Sequence, residues 1–483
     1  MRAILTLLNL LVASMASAET YRELYTKPAA TNASNINGGS SETRLFQRTN
    51  GNWNSSTRVF TATGDTIDSS WVGQLACVVV DGATTGGYFA EVSAIDNSAK
   101  TITLHATRTL GTAPGTSATA RTITIGGAWT GPSGGTTFPF SINTWSSVTN
   151  ANSDRVRFNL CGSFTTNVTP SIFSPTGIVV QGYTTAAGDG GFAEMDYNGA
   201  ADIYTWRIGS GGGVVEVRDV WFHNNSTAAA PTSAFGLVVS DSSGVGFCIV
   251  SRCRFSDCAS GGLLASGGTS VSTLVVKDCE FFDCFNNGSS TGACLKVQSD
   301  IHATVERSIF HDNGSGVVTC IDVNTGHCAV RECVFESNTV GISDTVAVSP
   351  RNCVFYNNTT ALSITPGSSR FGVHAYGCVF ENNATAVSRG NTTADKQPIF
   401  DNCVFYNNTT KYDSNATGRV FEVNCTDASR SCMVDPANGD FRLRESSLRG
   451  SINASLLQSS SYYTKFTTVR RSPGIEPSNP FYR

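Results

Sequence analysis

Three aspartates, Asp257, Asp283 and Asp312, each stand two residues after a phenylalanine, and His223 and His311 each follow one directly. Brought side by side, three carboxylates repel. One of them then carries a raised pKa, or a cation sits among them, and calcium is the hard cation such oxygens hold. Nothing else asks for a cofactor: no nucleophile elbow, P-loop or zinc spacing is present. A second set holds bases. Asp219, Arg252, Asp278, Arg307 and Glu332 form one column of charge, and Arg218, Lys277, Glu306, Arg331 and Arg351 form another one residue earlier. Lined up, they make a groove that grips an acidic chain, with Arg252, Lys277 or Arg307 as the base, or else a solvated stripe of alternating charge. Opposite charges one step apart keep bases protonated, which favours the stripe. The aspartates also have a plain alternative. Asp and Asn are preferred at tight corners, and Asn357, Asn382 and Asn407 occupy the same place further on.

A repeat would bring these residues side by side. Aligned on one phenylalanine, eight segments fall into register: VWFHNN, CRFSDC, CEFFDC, SIFHDN, CVFESN, CVFYNN, CVFENN and CVFYNN. Their phenylalanines are Phe222, Phe255, Phe281, Phe310, Phe335, Phe355, Phe380 and Phe405, spaced by 33, 26, 29, 25, 20, 25 and 25 residues. With 27 phenylalanines in 483 residues, composition alone does not produce that run. The first and third letters are apolar and two apart, the mark of one strand face. Three residues after Phe comes Asn, or Cys in two adjacent units. Asn tolerates left-handed backbone at a sharp corner, and its amide, stacked coil upon coil, can bond to the next rung. Insertions such as Asn286–Gly292 lengthen one loop without disturbing the stack. The chain therefore predicts an all-β parallel β-helix, its eight rungs extending about 38 Å.

Ends and composition narrow the setting. Arg2, the apolar run Ala3–Val12 and the small-x-small site Ala16-Ser17-Ala18 predict a signal peptide over 1–18 and a secreted, extracellular or cell-surface protein without an integral membrane segment. Charged residues are 14% of the chain, against about 25% in an average domain. The balance of 33 Lys+Arg against 37 Asp+Glu leaves no basic patch for nucleic acid. Residues 19–150 read as an N-terminal β-rich module and helix cap, with short strands from Thr57 to Gly127 separated by Gly- and Asp-rich turns. Residues 151–424 read as the β-helix and 425–483 as a closing segment and tail.

The C-x-F-x-N-N rungs resemble right-handed parallel β-helix repeats of the pectin-lyase-like superfamily, of exported bacterial or phage-like type. The resemblance covers Val220–Asn408 and extends upstream through Arg155–Arg218. It implies aromatic and aliphatic columns inside, an Asn ladder at one corner and, in members that cut polysaccharide, chemistry on the outside of the helix. A lyase would need one of the basic residues and calcium on carboxylates; a hydrolase would need paired carboxylates. The linked motifs of polygalacturonases are absent as a set, Asn324–His327 being only a fragment. Val434–Gly450 is similar to segments that close such helices, with Ser-Ser where Ser-Pro is usual. The front section resembles N-terminal portions of phage-like and environmental bacterial β-helix proteins, which implies a cap for the helix or attachment to a partner.

The 16 cysteines divide by position. Cys253, Cys279, Cys333, Cys353, Cys378 and Cys403 share one inward column and act as small hydrophobes. Cys258 and Cys284 replace the corner Asn in adjacent rungs and predict a disulfide, with stacked free thiols as the alternative; Cys294–Cys320 and Cys425–Cys432 are further candidate pairs. Sequons such as Asn287, Asn358, Asn391 and Asn415 are discounted, because the signal looks bacterial and corner asparagines face inward. The expected function is surface binding or structural display in contact with polysaccharide or a cell-surface glycan, with Tyr356 and Tyr406 as aromatic platforms. One alternative is a polysaccharide lyase or glycoside hydrolase using the outer face. Another is a phage-like or filament-forming structural protein that assembles by end or side stacking.

Overall fold

The computed structural model describes residues 21–27, 37, 40–83, 87–110, 112–130, 155–165, 171–173, 177–197, 207–209, 213–225, 235–240, 246–266, 273–284, 292–298, 301–313, 319–324, 326–344, 348–364, 373–390, 397–417 and 419–444. The expected signal segment, the 286–291 loop, Asn287, Asn391 and the expected C-terminal tail from residue 445 lie outside them. The chain divides into two compact units near Leu160. No helix among the described residues is long and apolar enough to cross a membrane.

The first unit carries a closed antiparallel barrel, in strand order Arg44–Asn54, Val59–Thr61, Thr101–Leu110, Tyr88–Asp96, Leu75–Val80 and Ser117–Gly126. Closure leaves no unpaired strand edge. Trp53, Phe60, Tyr88, Val92, Ile102 and Ile123 fill the interior. Gly51 is required there, since a Cβ would lie 2.0 Å from the Phe60 ring. Sequence reading placed five of these strands and missed the longest, Arg44–Asn54, where Gly and polar letters mask the alternation.

The second unit is a right-handed β-helix built from three parallel sheets. Each coil contributes one strand to each sheet. In one coil these are Phe247–Ser251 (sheet I), Arg254–Cys258 (sheet II) and Gly261–Ser266 (sheet III). Among the described residues, sheet II has 11 strands and sheet III 10. Register holds from coil to coil, with Phe222 opposite Phe255, Phe281, Phe310 and onward to Phe405. Neighbouring phenylalanine rings lie parallel at centroid separations of 4.7–5.3 Å and form one continuous buried stack.

Both corners bordering sheet II turn on left-handed residues. Before sheet II they are Asp219, Arg252, Asp278, Arg307, Glu332, Asn352 and Asn402; after it they are Asn224, Asp257, Asp283, Asp312, Ser337, Asn357, Asn382 and Asn407, with φ between 47° and 59°. This corrects the expected place of the left-handed residue, which stands two after Phe, not three. The residue three after Phe has another task. Asn313, Asn338, Asn358, Asn383 and Asn408, all but the half-buried last of them buried, form a ladder in which each Nδ2 donates to the next Oδ1 at 2.9–3.0 Å. The same Nδ2 groups donate to phenylalanine carbonyls of the preceding coil at 2.9–3.1 Å.

At its upper end the ladder passes into thiols. Asn313 Oδ1 accepts the Cys284 backbone N–H at 2.9 Å, and Cys258 and Cys284 continue the column. The expected disulfides are absent: all 16 cysteines are free, including Cys258, Cys284, Cys294, Cys320, Cys425 and Cys432. For in-register neighbours the reason is geometric. Their Cβ atoms stand a strand spacing apart, about 4.8 Å, beyond the roughly 3.5–4.5 Å a disulfide takes. Buried sulfurs settle on carbonyls instead, as Cys253 does on Ser251 at 3.4 Å and Cys258 on Ser256 at 3.2 Å.

Candidate functional site

Residues flanking each stacked phenylalanine point outward and form two columns on the outer face of sheet II. The column before Phe reads Glu194, Trp221, Arg254, Glu280, Ile309, Val334, Val354, Val379 and Val404; the column after it reads Asp196, His223, Ser256, Phe282, His311, Glu336, Tyr356, Glu381 and Tyr406. The face changes character halfway along.

Its later half is covered. After the last coil the chain returns across sheet II, and the hairpin Met433–Asp435 with Asp440–Leu443 lies on the valines. Cys432, Met433 and Phe441 pack with Ile309, Val334, Val354, Val379 and Val404 in one buried cluster. Burial of each such side chain contributes about 1.5–3 kcal/mol, so the strap is a fixed part of the fold. Tyr356 meets Phe441 edge-on at 5.8 Å, and Tyr406 is packed against the same cluster, so neither tyrosine is the open platform expected of it. Glu381 is completely buried under the strap. Its carboxylate accepts from Ser431 Oγ at 2.6 Å and the Cys432 N–H at 3.1 Å. Burial raises its pKa, opposed by those two hydrogen bonds.

The earlier half carries flat rings and charge. Trp221 stacks on His223 at 4.4 Å, its Nε1 donates to Ser256 Oγ on the next strand at 3.0 Å, and its ring lies 6.5 Å from Phe282 two strands on. The indole therefore lies across the strands. Phe282 stacks on His311 at 5.4 Å, which continues the ring surface. His223 Nε2 is buried and has no hydrogen-bond partner among the described residues. Beside the rings runs a charge network: Arg254 meets Glu280 at 3.1 Å and lies 4.7 Å over the Phe192 ring. His311 places Nε2 3.1 Å from Glu280 and Nδ1 3.1 Å from Asp312. Both nitrogens can donate only when the imidazole carries both protons.

Lys277 apart, the sequence candidates fall along the two edges of this strip, five residues apart in each coil (Arg252 and Asp257, for example) and so no more than about 17 Å. Asp257, Asp283 and Asp312 occupy adjacent rungs of one edge and are exposed. Asp283 has its pKa raised by partial burial and then by Asp257 and Asp312, with His311 opposing. Among the described residues, no group of three or more His, Cys, Asp or Glu side chains is arranged to hold a metal ion. On the opposite edge, Arg252 makes two 2.7 Å contacts to Asp219, and Arg307 binds Asp278 at 2.8 and 3.3 Å. Those pairs hold the guanidiniums as cations. Lys277 lies on sheet I in register with Ser251 and Glu306. Sequence reading missed Trp221, Arg254, Glu280 and Phe282. The available signal was the pair of letters around Phe, which shifts from W-F-H, R-F-S, E-F-F to V-F-E and V-F-Y.

Residues 210–359 match the family model described as "Right handed beta helix region". No curated protein matches the chain in sequence. Among solved structures, the catalytic unit of a thermostable GH87 alpha-1,3-glucanase from Streptomyces thermodiastaticus strain HF3-3 aligns with TM-score 0.34 and 10% identity, covering 80% of this chain and 88% of that one. The catalytic domain of a GH87 alpha-1,3-glucanase variant in complex with tetrasaccharides aligns with TM-score 0.32 and 9% identity, covering 79% and 90%. Likeness at this level carries nothing about what this chain does.

Proposed function

We propose that this chain takes a polysaccharide on the open half of sheet II and hydrolyses it there, with Asp283 as the proton donor. The observation that carries the reading is the coincidence of ring surface and acid column. Left-handed corners are served by Ser337, Asn357, Asn382 and Asn407 in the coils whose valines the strap covers, and by Asn224 beside Trp221 and His223. Asp257, Asp283 and Asp312 serve the three coils between, where Arg254, Phe282 and His311 stand on the face and the strap reaches only Ile309. Neutral Asn meets the conformational need, so three successive carboxylates add charge that the backbone does not require. Asp283, its proton held more tightly by partial burial of its carboxyl and by two like-charged neighbours, with His311 opposing, suits protonation of a glycosidic oxygen. Carboxylates one rung apart are separated by about 4.8 Å, near the roughly 5–5.5 Å that goes with a nucleophilic partner and retained anomeric configuration. The lyase alternative is less well supported, because Arg252 and Arg307 are occupied by aspartates.

A binding surface without turnover is the second reading, favoured by the left-handed backbone at all three aspartates, which is itself a reason for Asp there. Export and an extracellular setting belong to the proposal and rest on the N-terminal apolar run. The test is residues 19–483 incubated with a polysaccharide panel, with and without calcium, following reducing ends, unsaturated products and bound glycan. Hydrolysis predicts reducing ends that fall at least a hundredfold in Asp283→Asn while binding persists. Retention without product would establish the second reading. Unsaturated products would restore the lyase, and a calcium requirement lost in the Asp variants would place a cation at the corner. Neither binding nor product would refute both readings.

A further inference from the structure

We infer that the last strands of sheet I are a docking face for a second copy of this chain, laid against it across a two-fold axis. The face lies on a different sheet from the polysaccharide reading and does not depend on it. Five strands form it: His327–Arg331, Val348–Arg351, His374–Tyr376, Ile399–Asp401 and Phe421–Val423. Their outward residues make two columns. Ala329, Ser349, His374, Ile399 and Phe421 stand in one, and Arg331, Arg351, Tyr376, Asp401 and Val423 in the other. Among the described residues, every large apolar side chain that the solenoid leaves exposed is here: Tyr376 at 36%, Ile399 at 37% and Phe421 at 55%. Exposed apolar surface gathered in one place marks a contact site.

Charge identifies the occupant. Arg331 is held by Glu306 at 3.3 Å. Arg351, exposed on the next strand, has no ion pair among the described residues, and Asp401 has no cation, accepting only from the Asn402 amide at 2.8 Å. These two opposite charges stand one strand to either side of Tyr376 and do not meet within one chain. A two-fold axis along the Tyr376 strand, in the plane between two such faces, reverses the order of strands and keeps each column over itself. It sets Arg351 of each copy against Asp401 of the other, two pairs in one dimer. The same operation sets Ile399 over Ser349 and Phe421 over Ala329, so each exposed large side chain meets a small one. Contacts between identical chains require this self-complementarity. The end of the solenoid offers no such surface: Lys411 lies 4.4 Å over the ring of Phe405 at the foot of the stack and binds Asp427 at 2.6 Å and Glu422 at 3.1 Å. The lateral face spans at most about 19 Å by 17 Å, well below the roughly 800 Å² per partner of a stable interface. The dimer is therefore weak and reversible.

Sedimentation of residues 19–483, from about 1 μM to about 1 mM in low and high salt, tests this. Dimer should appear toward the upper end of that range and recede in high salt. Arg351→Glu alone, or Asp401→Lys alone, brings like charges together and should weaken association at least tenfold; Phe421→Ser should do the same by removing apolar area. Combining Arg351→Glu with Asp401→Lys restores opposite charges and should return association to within about threefold of the parent. All three side chains are on the outer face, so the variants keep the fold. A chain monomeric throughout gives the face to another occupant and overturns the inference. So does a dimer indifferent to the single variants, or a double variant no better than either single one.

Discussion

Neighbouring asparagines at one corner should respond very differently to the same substitution. Asn358 is buried, at 1% exposure, and makes four hydrogen bonds through its side chain. Nδ2 donates to the Phe335 carbonyl at 2.9 Å and to Asn383 Oδ1 at 3.0 Å; Oδ1 accepts from the Asn338 N–H and Nδ2, both at 3.0 Å. Truncation to Ala removes all four and leaves the buried Asn338 N–H without that partner. An orphaned buried donor costs about 1–3 kcal/mol, and each further bond lost costs roughly 0.5–1.5 kcal/mol. Asn358→Ala should therefore destabilise by about 2.5–7.5 kcal/mol. Asn357, one residue earlier, has φ of 56° and hydrogen-bonds Ser337 Oγ at an exposed site. Asn357→Ala loses mainly the tolerance of left-handed backbone, about 1 kcal/mol. Solenoids unfold through nearest-neighbour coupling, so the assay pairs urea titration with hydrogen exchange at the Asn338 amide. Exchange there should accelerate at least a hundredfold in Asn358→Ala and little in Asn357→Ala. Equal, small effects from both variants would refute the argument that the buried ladder, and not the corner conformation, holds the coils together.

Three further outcomes are expected. Thiol titration of unfolded protein, without reductant, should count all 16 cysteines, and a lower count would reveal a disulfide. Glu381 has a raised folded pKa, so the stability it contributes is fully present below its ordinary value of 4.5 and is lost as pH rises through the folded value. Proteolysis of the strap should accordingly speed up as pH rises through that window, and Glu381→Gln should flatten the dependence. Asp189 behaves oppositely: N–H groups of Thr184, Thr185, Ala186 and Gly191 converge on its carboxylate and lower its pKa from 3.8 to about 2. Its contribution is present above 3.8 and fades as pH falls toward 2. Asp189→Asn should remove that part of the acid sensitivity of local hydrogen exchange.

The repeated phrase around Phe determined the solenoid, because a side chain stacked coil on coil meets its own copy and a periodic structure leaves a periodic record. The Phe stack, the inward cysteines and the Asn ladder were all legible for that reason. So was the crowding of Asp257, Asp283 and Asp312, although φ values were needed to show that the left-handed residue precedes the ladder residue. The disulfides failed because identical residues in register are parallel, which the letters do not express. What no periodic reading contains is the return of the chain after its last coil. The contact between Glu381 and Ser431 joins residues 50 apart, through a segment that repeats nothing before it. That strap buries the valines and packs against Tyr356 and Tyr406, and it leaves Trp221, Phe282 and the acid column as the open surface. The residues of that surface were in the sequence, but only tertiary structure decided which half of one sheet stays open, because covering a surface is a property of segments distant in the chain.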